Sequence, residues 1–289
     1  MGLRLLSALC LATMAAIIKL AEARGAGLVE IMFFRQLVAM PVVMAWLAIG
    51  PGLATVRTPR LGSHAIRTAV GIVSMAFNFG TFLLMPLAEA TTLQFTVPIF
   101  ATIFGALVLG EPTGWHRWAA VVAGFIGVLI VAHPSGTHFP LIGTLVGLTS
   151  GLLMAIVAIL LRQLGKTEPA GTTVFWFSAL SIPPLALAWL FDVRAHDPQT
   201  WAMLIAIGAI GGVGQLALTA ALRFGSVSVV PMDYSSLIWA TLYGWLLFGV
   251  WPIPSTWIGA PVIVASGLYI VWREQRLRRA IVSFDETPI

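Results

Sequence analysis

With 289 residues, the chain is 59% hydrophobic and only 9% charged, where an average soluble domain carries roughly 25% charged residues. A water-soluble fold cannot hide that much apolar surface, so the solvent is lipid, and only helices and closed barrels span lipid. The net charge of +5 is spread over the ends of apolar segments, which argues for contact with membrane headgroups and against nucleic acid.

Ten apolar segments follow in chain order, at about 3–20, 28–48, 66–87, 90–109, 115–132, 141–162, 170–191, 200–222, 227–248 and 256–273. They are close to the twenty or so residues that a helix needs to cross a bilayer, and none alternates as a barrel strand would. Turn-rich joints separate them, among them GPGLATVRTPRLGS, HPSGTHFP and GVWPIPST. The first segment also has the layout of a removable signal peptide, ending Ala-Glu-Ala. Keeping it puts five segments before residue 135 and five after. The fold expected is therefore all-α and integral to the membrane. Residues 1–135 would form one five-helix unit, 136–273 a second, and 274–289 a charged cytoplasmic tail that frays. The single cysteine, Cys10, rules out an internal disulfide and reads as a small helix-packing residue.

Basic residues set the orientation. With the N-terminus inside, twelve fall on the inner side (Arg4, Arg57, Arg60, Arg67, Arg117, Arg162, Lys166, Arg223, Arg273, Arg276, Arg278, Arg279) and two on the outer (Arg24, Arg194). Both termini are thus expected in the cytoplasm, with the chain in the inner membrane. Trp46, Trp115, Trp118, Trp201, Trp251, Trp257 and Trp272 lie where aromatic belts form.

Segments four and nine repeat each other. FTVPIFATIFGALVLG (Phe95–Gly110) and YSSLIWATLYGWLLFG (Tyr234–Gly249) share six identities and three aromatic exchanges at an offset of 139. Five helices per half is an odd number, so the second half enters the membrane from the opposite side. Inverted repeats of this kind mark secondary transporters, with the substrate near the midplane between the halves. Pro98, Pro231, Pro41 and Pro183-Pro184 are candidate kinks within the spans.

Phe33-Phe34-Arg35, Gly110-Glu111, Trp118, Gly124 and Gly127, with Gly249, Trp257 and Gly267 in the second half, resemble the drug/metabolite transporter superfamily, in particular its EamA-type members. The resemblance covers essentially the whole chain and implies two five-helix repeats and transport of a small organic metabolite. Amino acids and their derivatives, S-adenosylmethionine-like molecules included, fall in the range it implies. One departure is that Gly249 is followed by Val250 where the family often has glutamate, so Glu111 is read as an interfacial charge without a transport role.

An ionisable side chain inside a membrane helix costs at least about 2.5 kcal/mol and is a functional candidate by default. Arg35 lies seven residues into segment two and Asp233 six into segment nine. At 1.5 Å per residue they sit roughly 10 Å from opposite surfaces and straddle the midplane. A mixed-charge substrate would place its carboxylate toward Arg35 and its amine toward Asp233, and Asp233 would also carry a coupling proton. The other account is that each is satisfied within its own half. Lys19 and Glu30 lie nearer the interface and read as structural ion pairs or headgroup contacts. Asn78, Gln94 and Gln215 are the uncharged polar candidates, Gln94 standing at the position equivalent to Asp233. Phe77, Phe95, Trp176, Tyr234 and Trp239 are candidate apolar walls.

No spacing among His64, His116, His133, His138 and His196 suggests a metal site, no phosphate-binding loop supports ATP-driven transport, and nothing resembles a nucleophile with a partnered base. No cofactor and no enzymatic role are expected; the partners are a small-molecule substrate and the bilayer, and a homodimer is compatible with this reading. A passive channel and a lipid translocator are the rival classes.

Overall fold

The computed structural model describes residues 2–107, 114–132, 141–223 and 235–285. Among them the chain forms eleven α-helices and one short 3-10 turn, Leu53–Val56. In order the helices are α1 (Gly2–Ala23), α2 (Leu28–Ile49), α3 (Leu61–Leu84), α4 (Leu87–Gln94), α5 (Val97–Leu107), α6 (Trp115–Ala132), α7 (Leu141–Leu164), α8 (Ala170–Trp189), α9 (Pro198–Arg223), α10 (Ser235–Phe248) and α11 (Pro254–Asp285). Eight spans are long and apolar enough to cross a membrane, with α4 and α5 together as one, and α6 and α10 contribute two shorter apolar helices. That makes the ten spans of an all-helical, multi-pass membrane protein.

Two elements differ from the sequence expectation. Segment four is two helices, because Pro98 has no N–H to give the Gln94 carbonyl. The chain bridges the gap with tighter bonds, Phe95 N to Thr92 O and Thr96 N to Leu93 O, both 3.1 Å, and the Thr96 hydroxyl caps Leu93 O at 2.7 Å. The last helix runs on to Asp285, where fraying from Arg273 was expected.

Helix packing follows an exchange rule. When span n is swapped with span n+5, α1 on α9 becomes α7 on α3, α2 on α9 becomes α8 on α3, and α1 on α10 becomes α7 on α4–α5; all of these pairs are in contact. The pairs α2–α8, α4–α10 and α6–α11 map onto themselves and are also in contact. This is the pattern that two inverted halves produce about a shared axis. Close approach comes from small residues. On α7, Gly143, Gly147 and Gly151 stand one turn apart, and a Cβ there would clash with Met85, Leu93 and the Thr96 hydroxyl respectively. Gly249 closes α10 with φ +64, its N–H bonding Trp245 O and the Val250 N–H bonding Gly244 O, both 3.0 Å. That left-handed turn is what glycine permits at a helix C-terminus, and it explains Gly249 without the missing glutamate.

Surface and interior are distributed as lipid requires. Ile66, Val122, Ile126, Leu129, Ile142, Leu145 and Ile258 are exposed, while Arg35, Gln36, Arg67, Thr68, Ser74, Ser178 and Ser181 are buried. The self-paired helices α2 and α8 are tied at both ends. At the end bearing the α1–α2 loop, Glu30 accepts from Trp189 Nε1 (3.2 Å) and lies 2.7 Å from His196 Nε2. At the other end, Glu168 accepts from Thr58 Oγ1 (2.6 Å), Thr172 Oγ1 donates to Thr55 O (2.6 Å) and Trp176 Nε1 to Val56 O (2.9 Å). Each tie joins one half of the chain to the other.

Candidate functional site

Arg35 is delivered by the third turn of α2 to the place where α2, α3, α8 and α9 come together. Its guanidinium is buried (6% exposed). Nη1 donates to Gln36 Oε1 at 3.0 Å and approaches Met75 Sδ at 3.6 Å, and Nη2 donates to Gln215 Oε1 at 3.3 Å. Gln36, fully buried, also accepts from Ser178 Oγ at 3.3 Å. The centre thus draws on α2 and α3 from the first half of the chain and α8 and α9 from the second.

A second arginine joins the first. Arg67 of α3 is 4% exposed, and its guanidinium carbon lies 3.7 Å from the centre of the Phe177 ring. Arg35 sits over the same ring at 5.8 Å. Gly71, one turn beyond Arg67, makes room for this arrangement: a Cβ there would stand 2.8 Å from Phe177 Cε2 and 3.2 Å from Arg67 Nη1. The sequence reading counted Arg67 among the headgroup-facing charges, and the structure corrects that placement. Its signal was a boundary. Segment three was begun at residue 66, whereas α3 begins at Leu61, and the earlier start carries Arg67 six residues into the span, a depth to match Arg35. Gln36 and Phe177 carried no mark in the sequence beyond their residue types.

Several buried polar atoms around these groups have no partner among the described residues: Arg35 Nε, Arg67 Nε and Nη1, Gln36 Nε2, Ser74 Oγ and Ser181 Oγ. Buried polar groups are ordinarily satisfied by protein or by ordered water, so these orphan atoms mark the space between the helices as a candidate polar site.

The other candidate residues fall in several places. Gln215 joins Arg35 directly. Asn78 Nδ2 donates to Ser150 Oγ at 3.4 Å, bridging α3 and α7. Gln94 is half-buried at the α4–α5 break, with Nε2 unpartnered among the described residues. Phe95 is buried in the same break and Phe77 is half-buried on α3. Trp176 is engaged at the α2–α3 loop through Val56 O rather than at the arginines. Trp239 is half-buried on α10. Asp233 and Tyr234, with Glu111, lie outside the described residues. Of the interfacial charges, Lys19 donates to the carbonyls of Phe82 (3.0 Å) and Met85 (2.8 Å), and Glu30 takes the partnership with His196 described above.

At the α1–α2 end, exposed charges lace the loops. Arg194 grips Asp192 with two bonds (3.0 and 2.7 Å) and donates to Gly25 O at 3.0 Å, and Arg24 reaches Asp197 at 3.3 Å. Arg194 holds the Asp192 carboxyl below its ordinary range, and hydrogen bonds from Thr200 do the same for Asp197.

Comparison with known proteins gives a consistent result. The EamA-like transporter family model matches residues 1–132 and again 141–272. The chain is 29% identical to a riboflavin transporter of Vibrio cholerae over 84% of its own length and 82% of the relative's. It is 27% identical to the pseudopaline exporter CntI of Pseudomonas aeruginosa over 82% and 84%. To an S-adenosylmethionine uptake transporter of Rickettsia bellii it is 25% identical over 84% and 82%. The three names cover import and export and three unlike cargoes, so likeness alone does not select a substrate.

Proposed function

Since this chain belongs to the EamA-like transporter family, transports a small molecule and is not an enzyme, we propose that it is a secondary active carrier of an organic metabolite, working by alternating access in the inner membrane with both termini cytoplasmic. The energy comes from the substrate gradient or a coupled proton. Residues 1–135 and 136–273 are the two halves, and the binding centre is Arg35 with Gln36 and Gln215. The observation that carries this reading is the exchange rule in the helix packing, with a buried polar centre where the halves meet. Two similar halves that can each take the other's shape turn a site open to one side into a site open to the other.

Amino acids and their derivatives belong to the substrate range through their carboxylate, which Arg35 is built to meet. The proposed amine partner and proton carrier remains Asp233.

Counterflow in proteoliposomes tests the carrier reading. Vesicles preloaded with an unlabelled metabolite should transiently concentrate its labelled form, and Arg35→Gln should slow this at least about tenfold, the loss of one charge-assisted hydrogen-bonding group. Equilibration without transient accumulation would mean a passive pore. Exchange confined to long-chain lipids would mean a lipid translocator.

A further inference from the structure

We propose that Arg35 and Arg67, sharing the Phe177 ring, form the receptor for the anionic group of the substrate, so that the cargo is an organic acid presenting a carboxylate or a phosphate. This rests on the carrier reading and narrows it.

Charge balance is the starting point. The described partners of Arg35 are two amide oxygens and a thioether. Arg67 has no hydrogen bond recorded to any described residue, and its Nε and Nη1 are buried. No carboxylate among the described residues pairs with either. Among the described residues the buried carboxylates are engaged elsewhere: Glu30 with Trp189 and His196, Glu168 with Thr58, and Glu89 with Ile253 N (3.3 Å) and Thr256 Oγ1 (3.2 Å). Two like charges therefore face one another's neighbourhood inside a low-dielectric bundle, an arrangement that a fold selected for stability alone would not keep.

The ring supplies part of what holds them. A guanidinium over an aromatic face is attracted to it and keeps its in-plane N–H groups free. Those groups form a fork that matches a carboxylate or a phosphate, with two parallel bonds where geometry allows. Ser74 Oγ, Ser181 Oγ and Gln36 Nε2 add unpartnered polar atoms to the same neighbourhood of helices. A neutral cargo would engage the donors and leave the charge standing; a cation would be repelled. An anion answers both.

The experiment uses the full-length protein in nanodiscs and reads thermal unfolding with matched ligands: nicotinate against nicotinamide, benzoate against benzamide, and riboflavin 5′-phosphate against riboflavin. The anionic member of at least one pair should stabilise at a concentration at least about tenfold lower than its neutral partner. Arg67→Gln should abolish that preference, and its ligand-free melting temperature should be equal to or above the parent's, since an uncompensated buried charge has gone. Arg67→Lys, which keeps the charge and loses the fork, should retain a weaker preference and covers the case in which Arg67→Gln does not fold. Equal stabilisation by both members of every pair, no stabilisation by any anion, or a preference that survives in Arg67→Gln would each overturn the assignment. Counterflow of the preferred anion is run alongside. Stabilisation without counterflow would remove the carrier reading and leave the anion receptor standing; counterflow of only the neutral members would do the reverse.

Discussion

Phe177 is placed by an absence. Its ring occupies the space that any side chain larger than hydrogen at position 71 would need, with 2.8 Å from the built Cβ to Cε2. Gly71→Ala should therefore overpack the site and lower stability by about 1–3 kcal/mol. It should also weaken substrate affinity, because Arg67 moves with the ring. Adding Phe177→Leu should recover part of the stability and none of the affinity, a coupling that melting curves and transport KM values for the two single variants and the double would show. The residues at this scale were unevenly legible. Arg35 stands out in the sequence because a charge seven residues inside an apolar run has no cheap explanation. Arg67 is hidden by the polar residues around it: with Arg57, Arg60 and His64 upstream, the charge-rich joint reads as extending to it, and only the helix start at Leu61 shows that it lies inside. Phe177 is one of 16 phenylalanines, and only the fold says which of them meets a guanidinium.

Among the elements, the repeat made the topology readable. Ten apolar segments were countable directly, and identical residues at one offset in segments four and nine, together with an odd count per half, suggested inverted halves, with which the helix packing is consistent. The interruption of span four was less visible. Pro98 announces a weakness, but the break between Gln94 and Val97 depends on Thr96 finding Leu93 O and on Gly151 leaving room for its hydroxyl, which are tertiary facts. The α8–α9 loop belongs to the same scale and responds to acid. Asp192 and Asp197 have folded values held below the ordinary carboxylate range. Each therefore contributes a stabilisation that is fully present above the unfolded value and is lost as pH falls through the lowered folded one. Amide protection in residues 190–197, followed by hydrogen exchange with rates corrected for pH, should hold from neutrality to about pH 4 and decline below it. Arg194→Gln, which removes the first cause of the Asp192 shift, should move that decline upward. Both carboxylates are exposed, so the effect belongs to the loop and leaves global melting nearly unchanged.

For the whole molecule, the feature with the widest reach is the pair of guanidiniums held between two tied ends of α2 and α8. A membrane potential falls mainly across whichever layer is sealed, because a water-filled vestibule conducts and a packed layer does not. When the seal changes sides, charges that have hardly moved in space cross the field. Carrying one elementary charge through a full 100 mV is worth about 2.3 kcal/mol, and Arg35 and Arg67 together contribute two. In the proposed carrier cycle the empty transporter is a voltage-sensing particle, and its return step is the electrogenic one. Voltage steps on a membrane densely packed with unloaded protein should draw a capacitive displacement current. A bound dianion should shrink that current toward zero and a monoanion should shrink it less, while Arg67→Gln should begin from a smaller one. A current unaffected by loading would detach the arginines from the moving field. On this account the cell's own electrical gradient sets which way the empty site prefers to face, and so biases the direction of traffic before any cargo gradient acts.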